Sequence, residues 1–587
     1  RLQSRQLAIV NRADDSPATL FDALVDGQTL PSNVVTTDNR GSVICFCSGD
    51  LQVKDAATGE VLRDRVIVPP YISPAALPIP DSVAAALAGK ASTAAVANVA
   101  GVPAPGLRTV IFGSSTDARC HVSIDATMVI AGSVATLTCA QPHQSFTGAL
   151  VSVGKSNPVG ATASFKTTAA MTRTGANTLT VPAPGMADGS SPTEVRLLQQ
   201  LAPPSWWRAL VQRMGGALEL VANFAQGGET TTDKLAQYQL LDAYDPQLVI
   251  GSFGSGNDVL AGDTSATAAN LQAMVRYHTS RGRWVLLALP PCTPALNAAQ
   301  MTMALPIIEW AVAELRVNPR LLLLDEFALT ANPMTGQGYA ELFTSPTDVH
   351  AVHHYADIKG AAMAQLLDSL MGVQPDMRTL SIMDRRIAHP SSRQICDGFW
   401  ELGNLGDAHD LNVKASGSVD LGITEINLLG SAGRSLVCSL VARGDGRGYN
   451  QRMVFSGAAG DQLRVAFNGA VGATLASRLL AGRTYAAGGS LKLALSAPGV
   501  LNRFEHFVEA TVGGVTARLA AHVAVDPDLT EPPPLVTLDD DPALFPAFTV
   551  PAGTVSAARF VLQMDLAATG SVTIDWGLLT LRQRQEG

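Results

Sequence analysis

Residues 107–118 read LRTVIFGSSTDA, a run of β-leaning residues that stops in a Gly-Ser-Ser turn. The arrangement returns as ALELVANF (217–224), PQLVIGSF (246–253), RWVLLALP (283–290) and RLLLLDEF (320–327), each short and nearly all apolar. Strands of that composition are covered on both faces. Between them lie SWWRALVQRMGG (205–216), TTTDKLAQYQLLDAY (230–244), ATAANLQAMVRYHTSRG (266–282), PALNAAQMTMALPIIEWAVAELR (294–316) and IKGAAMAQLLDSLMG (358–372), with apolar residues at helical spacing. Strand, crossover helix, strand builds an open parallel sheet, so a three-layer α/β domain is expected over 106–385.

One segment breaks that rhythm. Residues from about 120 to 191 are rich in Thr, Ser, Val and Gly with period-two stretches, which predicts an inserted β element. It leaves the sheet directly after the Gly-Ser-Ser turn and is expected to overhang that edge. Outside the α/β pattern, residues 1–68 alternate short apolar runs with turn residues, the mark of a small antiparallel β domain. Residues 69–105 are Ala-rich between Pro-rich flanks and open a helix signal at Asp81-Ser82; they read as a linker helix or as a flexible tether. From 386 to 587 helical periodicity disappears, and runs such as RSLVCSLVARG and SVTIDWGLLTLR between Gly and Asn turns predict a β-sandwich. Phe399, Trp400 and Trp576 in it could stack on a sugar ring, although sandwich aromatics more often fill the core. The fold class expected is therefore multidomain, an α/β three-layer domain with a β insertion between an N-terminal β domain and a C-terminal β-sandwich.

Composition narrows the function. A chain of 587 residues, 47% hydrophobic, can bury several cores. A net charge of -9 with only 16% charged residues leaves no basic stripe for phosphates, so nucleic acid is not an expected partner. No stretch reaches about 18 uncharged apolar residues, so membrane insertion is not expected, and Arg12, Asp14 and Asp15 stand where a signal peptide would need its apolar region. Seven scattered cysteines do not make a disulfide framework, and Cys45 and Cys47 alternate on a strand as two buried thiols rather than as a metal half-site.

Open α/β sheets bind ligands at the carboxyl ends of their strands. Gly113-Ser114-Ser115-Thr116, Gly227-Gly228-Glu229-Thr230-Thr231 and Gly254-Ser255-Gly256-Asn257-Asp258 each follow a strand, so all three turns fall on one rim. In this order and spacing they resemble the blocks of the SGNH (GDSL-type) hydrolases, esterases and deacetylases with a serine nucleophile. Gly113-Ser114-Ser115 matches the first block and makes Ser115 the nucleophile. Asn223 to Thr231 matches the second, with Gly228 at the oxyanion position, and Ser255-Gly256-Asn257-Asp258 the third, with Asn257 as the other oxyanion donor. Ser115 would add its own N–H. Acyl transfer needs such a hydroxyl, a base for it, and donors aimed at the oxygen that becomes negative.

The base is expected from the family's last block, an Asp three residues before a His, shortly before a helix. SPTDVHAVHHYADIKG (345–360) departs from it: no Asp stands three before any of its histidines. His350-Ala351-Val352-His353 has the spacing with His in the Asp place, and the distance to the Gly360 helix favours His353 as base, oriented by Asp348 through a different turn or by His350. His354, Asp348 and Asp357 with the other histidines could alternatively hold a metal, but a serine mechanism needs neither metal nor cofactor. Asp258 is expected to tether its loop, and His121 to belong to the inserted β element.

The order of ATLFDA, PSNVVTTDNRG, an apolar strand and GDLQVKD in residues 1–68 resembles the N-terminal modules of tailed-phage tail fibres and tailspikes. That resemblance implies attachment to other tail or baseplate proteins, a homotrimer, and a location on the virion tail. Together the two resemblances imply removal of O-acetyl groups from a host surface polysaccharide through a Ser115 acyl-enzyme. Two other readings stand beside it: a receptor-binding adhesin with an inactive hydrolase domain, and a secreted bacterial carbohydrate esterase.

Overall fold

The computed structural model describes residues 6–11, 34–36, 49–55 and 61–68, then 107–583 apart from 155–165, 185, 204, 215–217, 333, 344, 346–347, 351, 372–404, 421, 444–448, 469–473 and 526–536. The chain divides into two compact units, Arg1–Ala95 and Val96–Gly587. In the first, strands β1 (Gln6–Asn11), β2 (Val34–Thr36), β3 (Gly49–Asp55) and β4 (Val61–Val68) form an antiparallel sheet in the order β2-β1-β3-β4. The Asp81-Ser82 helix signal, Cys45, Cys47, Phe399 and Trp400 lie outside the described residues.

The second unit contains the α/β layers. β5 (Leu107–Ile111) is followed by the insertion, whose strands are β6 (His121–Ala131), β7 (Val134–Cys139), β8 (Leu150–Val153), β9 (Thr167–Ala170), β10 (Thr172–Arg173), β11 (Thr178–Pro182) and β12 (Gly189–Leu201). The chain then returns to β13 (Leu218–Asn223), β14 (Leu248–Gly251), β15 (Trp284–Ala288) and β16 (Leu321–Leu324). The five core strands are all parallel, in the order β13-β5-β14-β15-β16.

Alternation along each strand divides the core between two faces. Ile111, Ile250 and Leu286 pack with Trp206, Leu210, Met363 and Leu367 of helices Trp206–Arg213 and His353–Met371. Val110, Phe112, Val249 and Val285 point the other way, onto Leu271, Met274, Ile307 and Ala311 of helices Thr267–Ser280 and Ala298–Val317. Capping side chains start two of these helices: Ser205 accepts the Arg208 N–H at 3.0 Å, and Asn297 the Gln300 N–H at 3.0 Å.

The C-terminal strands make two sheets that share one core, with Leu463, Val508 and Phe560 from one facing Phe455, Leu491 and Ile574 from the other. Trp576 is fully buried in this core and donates its indole N–H to His506 Nε2 at 3.2 Å, so it presents no face to a sugar. One of these sheets does not end at the sandwich. Strand Val515–Val525 pairs in parallel with β12 through Gln200↔Ala521 and Leu201↔His522, which joins the insertion and the sandwich in a single sheet of 12 strands. Cys120, Cys139, Cys292 and Cys438 are buried free thiols.

Candidate active site

The first core strand ends in the Gly113 turn, and Ser115 is the first residue of the short helix Ser115–Ala118. Its N–H therefore has no carbonyl one turn back and points out of the helix end. Asp117, fully buried, holds this turn: its carboxylate accepts the Ser114 N–H at 3.2 Å, the Ser252 N–H at 3.0 Å and hydroxyl at 2.7 Å, and the Trp206 indole N–H at 3.1 Å. Lys359 supplies the counter-charge at 3.4 Å and pairs also with Glu326 at 2.9 Å, all three being buried. Tyr355 donates its hydroxyl to Glu326. Burial pushes the Glu326 carboxyl up from its ordinary value, against the pull of Lys359. Asp117 was not singled out from the sequence, although Ser114-Ser115-Thr116-Asp117 carries the S-x-x-D spacing of a capped helix start.

The rim brings one imidazole to the serine. His350 Nε2 lies 3.1 Å from Ser115 Oγ, and His350 Nδ1 lies 2.7 Å from Asp348 Oδ1. The same Asp348 oxygen accepts the N–H groups of Val349 at 2.6 Å and His350 at 3.2 Å, a tight local turn that lets an aspartate two residues upstream reach the ring.

The structure does not bring His353, the histidine expected as base, to the serine. Its Nδ1 donates to the Pro203 carbonyl at 2.7 Å, and its Nε2 accepts from Arg208 Nη2 at 2.8 Å. Both ring nitrogens are thus engaged away from Ser115. Burial, with Arg208 adding to it, lowers the His353 imidazole to about 4. His354 is exposed, and Arg208 pairs with Asp357 at 2.5 Å. The three histidines therefore face three different surroundings, and among the described residues no group of three His, Cys, Asp or Glu side chains is arranged to hold a metal.

The other two turns close on the serine. An ideal Cβ on Gly227 would stand 3.6 Å from Ser115 Cβ, so the second turn passes beside Ser115. Gly228 follows with φ +78, a left-handed conformation that suits glycine. Asn257 donates one Nδ2 hydrogen to the Glu229 carbonyl at 2.7 Å, which ties the third turn to the second; a primary amide has a second hydrogen to give. Asp258 tethers its loop, accepting the hydroxyls of Thr231 at 2.6 Å and Thr267 at 2.7 Å. His121 opens β6, buried, with Nδ1 3.2 Å from the Asn223 amide. A small cleft of about 30 Å³ opens beside Ser115, bordered by Asn257, Val259, Leu260, Pro290 and Leu296.

No family model matches the chain, and no curated protein does. Among solved structures the chain is similar to a lipase/acylhydrolase from Enterococcus faecalis at 18% identity, over 29% of this chain and 88% of that one, with a TM-score of 0.24. A GDSL-like lipase from Bacteroides thetaiotaomicron VPI-5482 is 16% identical over 29% of this chain and 85% of its own, with a TM-score of 0.23. The enzymatically active domain of tailspike protein 4 from bacteriophage CBA120 is 10% identical over 33% of this chain and 22% of its own, with a TM-score of 0.19.

Proposed function

We propose that the α/β layers form a serine ester hydrolase. The observation that supports this reading most is the line of contacts Ser115 Oγ to His350 Nε2 at 3.1 Å and His350 Nδ1 to Asp348 at 2.7 Å. His350 takes the Ser115 proton as the hydroxyl oxygen attacks the ester carbonyl, and Asp348 fixes the ring with Nδ1 protonated and steadies the imidazolium that forms. The carbonyl oxygen turns negative among the Ser115 N–H, the Gly228 N–H and the free hydrogen of the Asn257 amide, each such donor being worth about 3 kcal/mol in the transition state. His350 then returns its proton to the leaving alcohol, and water, activated by the same ring, releases the acid from Ser115.

The aspartate within reach of His350 weighs against the reading of an adhesin with a degenerate site, since the last block keeps an acid and a base in contact. The resemblance of residues 1–68 to tail-fibre modules supports a place on a phage tail, attached to other tail proteins as a homotrimer, with O-acetyl groups of a host surface polysaccharide as the substrate. The test is release of acetate from such a polysaccharide, or cleavage of an activated acetate ester, by the wild type and by Ser115→Ala. Hydrolysis by the wild type with loss of at least about 10³-fold in the variant is expected. Equal and negligible rates would sink the enzymatic reading.

A further inference from the structure

The insertion reaches the second turn from outside the α/β sheet at several points. Arg196 of β12 donates from Nη1 to the Ala225 carbonyl at 2.8 Å and from Nη2 to Glu194 at 2.8 Å. Glu194 in turn accepts the Gln226 side-chain amide at 3.3 Å. Ser152 of β8 accepts the Asn223 N–H at 3.3 Å. From the start of β9, Lys166 Nζ donates to both oxygens of Glu229, at 3.1 and 2.9 Å, and to Gln237 Oε1 at 2.9 Å. These contacts bracket residues 223–229, in which Gly227 passes beside Ser115 and whose last carbonyl receives the Asn257 amide.

The charges give a second, independent reason to single out Lys166. Buried Glu229 already has Lys234 and the Gln237 amide as partners. A second lysine on a carboxylate that Lys234 already neutralises gives up part of its hydration for a shared partner, which is a poor source of stability. Burial and the neighbouring Lys234 drive the Lys166 amine well below its ordinary value.

We propose that the insertion is part of the catalytic machinery, with Arg196 and Lys166 as positioning residues that hold the 223–229 turn where its N–H groups and Asn257 meet the oxyanion. This rests on the reading of Ser115 as nucleophile. Arg196 fixes the turn at Ala225 and Lys166 at Glu229. Both side chains act through the turn, so their loss is expected to weaken transition-state binding and leave ground-state binding in place.

The experiment measures kcat and KM on an activated acetate ester for the full chain and for Arg196→Met, Lys166→Met and Lys166→Arg, with thermal midpoints and amide exchange over residues 223–229. Arg196→Met is expected to lower kcat about tenfold or more, a part of the ~10²–10³ that a lost oxyanion donor costs, with KM within about twofold. Lys166→Met should do the same more mildly, Lys166→Arg should recover most of it, and exchange at 223–229 should quicken in both methionine variants while β5 keeps its protection. Unchanged kcat, or kcat falling only in step with the midpoint, overturns the proposal. Where the wild type and Ser115→Ala are equally inactive, the hydrolase reading falls and exchange alone decides: unchanged protection at 223–229 in both methionine variants overturns the clamp.

Discussion

His350 and Asp348 stand two residues apart, yet the carboxylate that lies 2.7 Å from His350 Nδ1 also accepts the His350 main-chain N–H at 3.2 Å. Ring and backbone thus both face one oxygen. Asp348→Asn keeps an acceptor for the two main-chain N–H groups and for Nδ1–H but removes the charge that would steady the imidazolium. By analogy with the serine-protease acid, kcat is expected to fall ~10²–10⁴-fold, with KM little changed. Steady-state kinetics on an activated acetate ester checks this.

The hydrolase reading gives the two histidines different roles. His350→Ala should cost at least about 10³ in kcat, because no other imidazole nitrogen among the described residues contacts Ser115 Oγ. His353→Gln should leave kcat within about threefold and lower the thermal midpoint, since it disturbs the contacts to Pro203 and Arg208. A large kcat loss in His353→Gln with the midpoint unchanged would return the base to His353.

Gly113 has no room for a side chain. An ideal Cβ there would lie 1.7 Å from Asp117 Oδ2, so Gly113→Ala drives that carboxylate out of its place against Ser114, Ser252 and Trp206. Displacing a buried charge from its partners costs about 3–5 kcal/mol. Denaturant unfolding is expected to show a loss of that order, together with loss of esterase activity.

Acid should unfold this protein through its histidines. Burial lowers His121, His278 and His506 to about 3 and His353 to about 4, from an ordinary value of 6.5. Between pH 6.5 and 4 the unfolded chain binds protons on these rings that the folded chain refuses, so stability is full above that window and falls as the pH drops through it. Below about 4 the His353 contribution levels off, while the other three continue to about 3. The thermal midpoint should therefore fall steeply from pH 7 to pH 4. His506→Gln, which keeps an acceptor for the Trp576 indole, should flatten that slope.

Much of the α/β layering was legible because its strands are apolar on both faces and cannot be mistaken for surface: LRTVI, LVIG, WVLLA and LLLL all became parallel core strands. The three rim turns follow from strand ends and were legible for the same reason. Spacing favours His353 over His350, whereas a local turn at Asp348 brings a carboxylate to the ring from two residues away and sets His350 against Ser115. The helix also begins at His353 itself, which turns that ring toward Pro203 and Arg208. Period-two patterning found the insertion but could not show its side chains meeting Ala225 and Glu229, because cross-strand contacts leave no spacing in the chain. Trp576 was read as a possible sugar platform or core, and its place was set by the facing sheet, which sequence does not record.

The parallel seam between β12 and strand Val515–Val525 also bears on how the protein is made. During translation Gln200 and Leu201 leave the ribosome long before Ala521 and His522 are synthesised, so one margin of the insertion waits with unpaired backbone groups until that distant strand has emerged. A ribosome that stops early leaves that margin open to other nascent chains, and the quality of the final product depends on completing the message rather than on any one segment reaching its own shape.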